Sequence, residues 1–132
     1  MSEPATAFDL GISVRRVAEG SWSGEAQAGW SAPPGPNGGY LAAIILQAMT
    51  AQVADPARPV RSITLHYLRA PQVGPLSIEV SVERAGRTLS TLSARLLQDD
   101  RLRILALAAF GGDFEPADSF AAQMPADRKS VV

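Results

Sequence analysis

Two-residue alternation of apolar and polar positions runs through most of the chain and breaks at one stretch. In residues 76–83, Leu76, Ile78, Val80 and Val82 alternate with Ser77, Glu79, Ser81 and Glu83, which predicts a strand with one buried and one wet face. Residues 88–97 and 102–110 predict two more strands, joined by hairpin turns at Arg84-Ala85-Gly86-Arg87 and Gln98-Asp99-Asp100-Arg101. The last of them, LRILALAAF, is apolar on both faces apart from Arg103. That places it mid-sheet or under another subunit. Residues 60–69 form a further strand, with Ile63, Leu65 and Tyr67 on one side and Ser62, Thr64, His66 and Leu68 on the other. Upstream, residues 8–18 and 21–30 read as a hairpin turning at Glu19-Gly20, with Trp22 and Trp30 on its buried side.

The interruption is residues 33–54, PPGPNGGYLAAIILQAMTAQVA, where a breaker-rich turn opens into helix-forming sequence. Besides the Tyr40 hydroxyl, the only polar side chains from 40 to 54 are Gln47, Thr50 and Gln52, and there is no charge. No side of such a helix suits bulk water, so the strands are expected to enclose it. Fifteen residues make about 22 Å of helix, too short to cross a bilayer. The pattern predicts an α+β domain over residues 1–115, a curved antiparallel sheet around one apolar helix, with residues 116–132 as a tail or linker.

Composition narrows the function. The chain has 132 residues, no cysteine and a net charge of -1, with 46% hydrophobic and 19% charged residues. One domain of this size buries about two-thirds of its unfolded surface. Near-neutral charge argues against nucleic-acid or anionic-membrane partners. With no thiolate and a single histidine, no metal site or other cofactor is expected, and a start without a basic-then-apolar signal points to the cytoplasm.

The candidate chemistry lies at the helix start. Asn37 is a good N-cap, and Gly38 and Gly39 let a ligand oxygen approach the free N–H groups of the first turn. The same residues also serve a plain turn and cap. His66 has no nucleophile signature around it and reads as structural. Trp22, Trp30 and Phe110 read as core or interface aromatics.

Three segments together resemble the hot-dog fold, and within it the first repeat of a two-repeat acyl-CoA thioesterase of the thioesterase II (TesB-like) type. They are Pro36-Asn37-Gly38-Gly39-Tyr40-Leu41, Val60-Arg61-Ser62 with His66-Tyr67-Leu68-Arg69-Ala70-Pro71, and Gly86-Arg87-Thr88 with Ala94-Arg95-Leu96-Leu97-Gln98-Asp99. The resemblance implies hydrolysis of acyl-CoA thioesters. The Gly38, Gly39 and Tyr40 backbone N–H groups would polarise the carbonyl, and Gln47 and Thr50 would stand near the attacking water. Arginines would take the coenzyme A phosphates: Arg84 and Arg87 above all, with Arg58, Arg61 and Arg69 at strand ends. In two-repeat enzymes the reacting Asp, Thr and Gln belong to the second repeat, and in single-repeat ones an acid stands on the helix near the position of Gln47. Here glycines occupy the helix start and the last strand has no glutamine. The chain is therefore expected to act as a homodimer or higher homo-oligomer, or else as a non-catalytic acyl-CoA-binding or scaffold half whose partner supplies the acid. A hot-dog dehydratase would need an Asp and His pair at the helix entrance, which the sequence lacks.

Overall fold

The computed structural model describes residues 4–32 and 35–112, so the tail expected at 116–132 lies outside the described residues. In order the chain forms α1 (Ala7–Gly11), β1 (Arg15–Ala18), β2 (Ser21–Ala26), a 3-10 turn (Ala28–Trp30), β3 (Ser31–Ala32), β4 (Gly35–Pro36), α2 (Gly38–Val53), β5 (Val60–Tyr67), β6 (Gly74–Ala85), β7 (Leu89–Gln98) and β8 (Arg101–Gly111). Six strands make one antiparallel sheet in the order β1-β2-β6-β7-β8-β5; β3 and β4 form a separate two-stranded ribbon.

The core forms where α2 lies on this sheet. Leu41, Ile44, Ile45, Ala48 and Met49 from the helix are fully buried, as are Ile78, Leu92, Leu96, Ile104 and Phe110 from the strands. Truncating any one of the large aliphatic residues to alanine would cost about 2–5 kcal/mol. The buried helical positions follow the i, i+3, i+4 spacing of a single face. The rest of the helix is open: Gly39, Gln47, Thr50 and Ala51 are exposed. The expectation of an enclosed helix is thus corrected for one chain, because the sheet lies on one side of the helix and leaves these positions uncovered.

Other expectations change as well. Residues 8–18 are not one strand: Thr6 and Asp9 bond reciprocally as a capping box and start α1, and only Arg15–Ala18 pairs. Residues 21–30 pair only as far as Ala26, and Trp30 lies in the 3-10 turn. There Trp30 stacks on Tyr40, with ring centroids 5.8 Å apart, and meets the edge of Phe8. Strand β5 does not lead into the meander β6-β7-β8 as a neighbour but pairs with β8, at the far edge of the sheet. Alternation along a strand fixes which face is buried and leaves its neighbour undetermined. Val82, expected inside, is 52% exposed and lines a groove of about 240 Å³ beside the last turn of α2.

Side-chain clips close the two ends of the layer. Buried Gln98 accepts from Gln72 N (2.8 Å) and donates to Gln72 O (2.7 Å) and Pro75 O (3.3 Å), pinning the 70–75 loop to β7. Asp99 and Asp100 both have positive φ, which suits the primed two-residue turn of a hairpin. At the opposite end Trp22 Nε1 donates to Gln52 Oε1, and Gln52 Nε2 to Glu19, which also pairs with Arg16.

Helix α2 stops at Ala54, whose φ of 53° and ψ of 33° are left-handed. A Cβ is strained there and glycine is not. Ala54→Gly is expected to raise stability by about 0.5–1 kcal/mol, read as a higher denaturation midpoint at unchanged slope. An unchanged or lower midpoint would mean that this backbone conformation is not strained.

Candidate functional site at the start of the buried helix

The helix starts at Gly38 because Asn37 is extended and caps it. Asn37 Oδ1 accepts from Gly39 N (2.8 Å) and Tyr40 N (3.3 Å). Two of the three N–H groups expected to face a substrate are therefore taken by the cap. That corrects the sequence reading for Gly39 and Tyr40, whose donors are satisfied within the chain. Among the described residues two donors remain at this end: the Gly38 N–H, which the cap does not take, and the NH2 on the other branch of the Asn37 amide. Asn37 itself is exposed. The helix dipole adds partial positive charge there.

Tyr40 is a structural anchor. Its buried hydroxyl donates to Gly11 O (2.7 Å), lies 3.2 Å from Glu25 O and accepts from Gln27 N (3.1 Å). It thereby ties the end of α1 and the end of β2 to the helix. A second tyrosine, missed as a site residue in the sequence, stands at the mouth. Tyr67, at the end of edge strand β5, donates from its hydroxyl to Gly38 O at 2.7 Å. Partial burial pushes its pKa above the ordinary tyrosine value, so it stays a donor at neutral pH. A Cβ on Gly38 would rest in ordinary contact with the Tyr67 ring, 3.4–3.6 Å away. The available signal was an aromatic residue closing the inward-facing row Ile63, Leu65, Tyr67.

Gln47 and Thr50 are exposed on the open side of α2. Nine residues separate Gln47 from Gly38, about 13 Å of helix, and Thr50 is a turn farther. Neither reaches an oxygen held at Gly38 of the same chain. No carboxylate occurs within α2. His66 is exposed on the outer face of the sheet, opposite Leu105 and away from the helix.

The arginines divide between the two ends of the helix. Arg84 and Arg87 are exposed near the β6–β7 turn, at the end where α2 stops, about 24 Å of helix from Gly38. Arg87 lines a groove of about 550 Å³ with Asp55 and Arg58. The Arg58 guanidinium is spent on Gly86 O (2.8 Å), Ser90 Oγ (2.9 Å) and Arg87 O (2.6 Å), and faces Asp55 at 3.7 Å. Arg61 Nε donates to Gly111 O. Arg69 lies at the Gly38 end, two residues past Tyr67.

Comparison with known proteins agrees with this architecture. The family model for the acyl-CoA thioesterase N-terminal domain matches residues 26–111. No match to the chain was found among curated proteins. Among solved structures, a proposed thioesterase II from Thermobifida fusca YX is 29% identical, with a TM-score of 0.79, over 96% of this chain and 47% of that one. A conserved hot-dog fold protein of unknown function from Alicyclobacillus acidocaldarius is 25% identical, with a TM-score of 0.76, over 96% and 47%. A hypothetical thioesterase from Streptococcus pneumoniae TIGR4, solved with coenzyme A, has a TM-score of 0.66 at 18% identity over 75% and 83%. The chain spans about half the length of the first two. No helix among the described residues is long and apolar enough to cross a membrane. The family match covers most of the chain and the layout agrees with it: this chain has a hot-dog fold and belongs to the acyl-CoA thioesterase N-terminal domain family.

Proposed function

We propose that the chain binds acyl-CoA thioesters at the Gly38 end of α2 and hydrolyses them as part of a pair of hot-dog units. The observation that carries this is the capped, glycine-opened helix start in a chain of the acyl-CoA thioesterase family. The thioester oxygen sits on the Asn37 NH2 and the Gly38 N–H. Water adds to the carbonyl carbon, these donors hold the developing oxyanion, and its collapse breaks the C–S bond and releases coenzyme A as thiolate. The proton lost by water passes through solvent to the departing thiolate, because Gln47 is no base and its amide only orients the water. Because Gln47 and Thr50 lie well along the helix from Gly38, they enter the chemistry across the pair, from the open helix face of one unit to the mouth of the other.

A specific observation favours a second reading. The absence of any Asp or Glu from α2 suits a binding half whose partner unit supplies the acid. Purified chain is mixed with acyl-CoA and a thiol reagent while native mass spectrometry reads the assembly. Release of free thiol well above the protein-free rate supports hydrolysis, whereas binding without release supports the second reading. If acyl-CoA neither binds nor turns over, both readings fail.

A further inference from the structure

We infer that Arg69 and Arg103 form the phosphate-binding end of the site, holding the nucleotide phosphates of coenzyme A; this rests on the proposed function above. The two residues meet where β5 ends. Backbone N–H groups of Leu68 and Arg69 both donate to Arg103 O, at 2.8 and 3.1 Å. The shift in β7–β8 pairing between Leu96 and Leu97 leaves Arg103 as the extra residue of a bulge. Tyr67, bonded to Gly38 O, ties the same strand end to the helix mouth. Phosphate held here belongs to a ligand whose other end lies at Gly38.

The guanidinium of Arg103 is only partly used. Nη1 donates to Ala70 O at 3.2 Å, while Nε is buried with no hydrogen-bond partner and Nη2 makes no bond among the described residues. In this position Nη2 is the open donor and Nε is closed off, so the Nε–Nη2 fork grips a phosphate with two parallel bonds once the side chain turns outward. A buried N–H left unpaired costs free energy, which an anion drawn onto that edge would recover. Arg69 is exposed and makes no ion pair or side-chain hydrogen bond among the described residues. Asp99 and Asp100, in the β7–β8 turn, pair with neither arginine among the described residues. Conditions at the other end are poorer for an anion: Arg58 is spent on backbone and Ser90, and the Asp55 carboxylate lines the groove.

Coenzyme A is titrated calorimetrically into the full chain, with phosphate-free pantetheine as the control ligand. Arg69→Glu is expected to weaken coenzyme A binding about tenfold or more while pantetheine binding is unchanged. Arg103→Lys keeps the charge without the fork and should give a smaller loss. Arg95→Glu reverses an exposed charge on the outer face of β7 and should leave coenzyme A affinity as it was. Wild-type affinity for coenzyme A in Arg69→Glu, or a loss carried by Arg84→Glu and Arg87→Glu instead, would overturn the assignment and leave the proposed function standing. A wild-type chain that binds no coenzyme A removes that function and the assignment with it.

Discussion

Replacing Asn37 with alanine is expected to slow thiol release from acyl-CoA about a hundredfold while lowering stability by only about 1 kcal/mol. The two effects come from the two branches of one amide. Oδ1 accepts from Gly39 N and Tyr40 N and so closes the first turn of α2. The NH2 branch is free for a substrate oxygen and is worth most while that oxygen carries the charge of the tetrahedral intermediate. Alanine removes both branches. Asn37→Ser separates them, since serine caps as well as asparagine but lacks the outward amide. The serine variant should melt near wild type and still lose most of the turnover, chiefly in kcat. If alanine and serine both fold and release thiol at the wild-type rate, Asn37 is only a cap and the donor role is wrong. Should the chain bind without turnover, the same pair of variants is compared on the thiol release of the assembled two-unit enzyme.

How far the sequence disclosed this arrangement depends on the range of the physics involved. The cap at Asn37, the body of α2 and the Asp99-Asp100 turn were legible because each is a contact between residues a few positions apart. A local signal for α1 was also present, in the Thr6-x-x-Asp9 spacing of a capping box, but the apolar alternation from Ile12 onward obscured it. The use of Tyr67 and Arg103 could not be read from spacing. Tyr67 reaches Gly38 only because β5 crosses to the edge beside β8, and Arg103 is displaced only because the β7–β8 register slips by one residue. Strand order and bulges are set by tertiary packing, which no single segment encodes. The arginines show the same division. Arg58, Arg61, Arg69, Arg84 and Arg87 were visible as phosphate candidates, yet only folding shows that Arg58 is consumed by Gly86, Arg87 and Ser90.

Tyr40→Phe should destabilise the domain by about 2–3 kcal/mol, a loss out of proportion to one hydroxyl. The ring stays and keeps its stacking on Trp30, so the change tests the oxygen alone. That oxygen serves Gly11 O, Glu25 O and Gln27 N, groups from two segments that are otherwise remote in sequence. Phenylalanine leaves the buried Gly11 carbonyl and the part-buried Gln27 N–H without this partner, and each unmet group adds its own desolvation cost. For a domain of this size the melting temperature should fall by roughly 5–15 °C. The segment containing α1 should loosen first, seen as faster amide exchange around Gly11 and Ile12 with the α2 core still protected. Below the lowered melting point the affinity for coenzyme A should be retained, because Tyr40 holds the wall behind the mouth and presents nothing to the ligand. A variant that melts with the wild type but loses ligand affinity would reverse that assignment and return Tyr40 to the binding site.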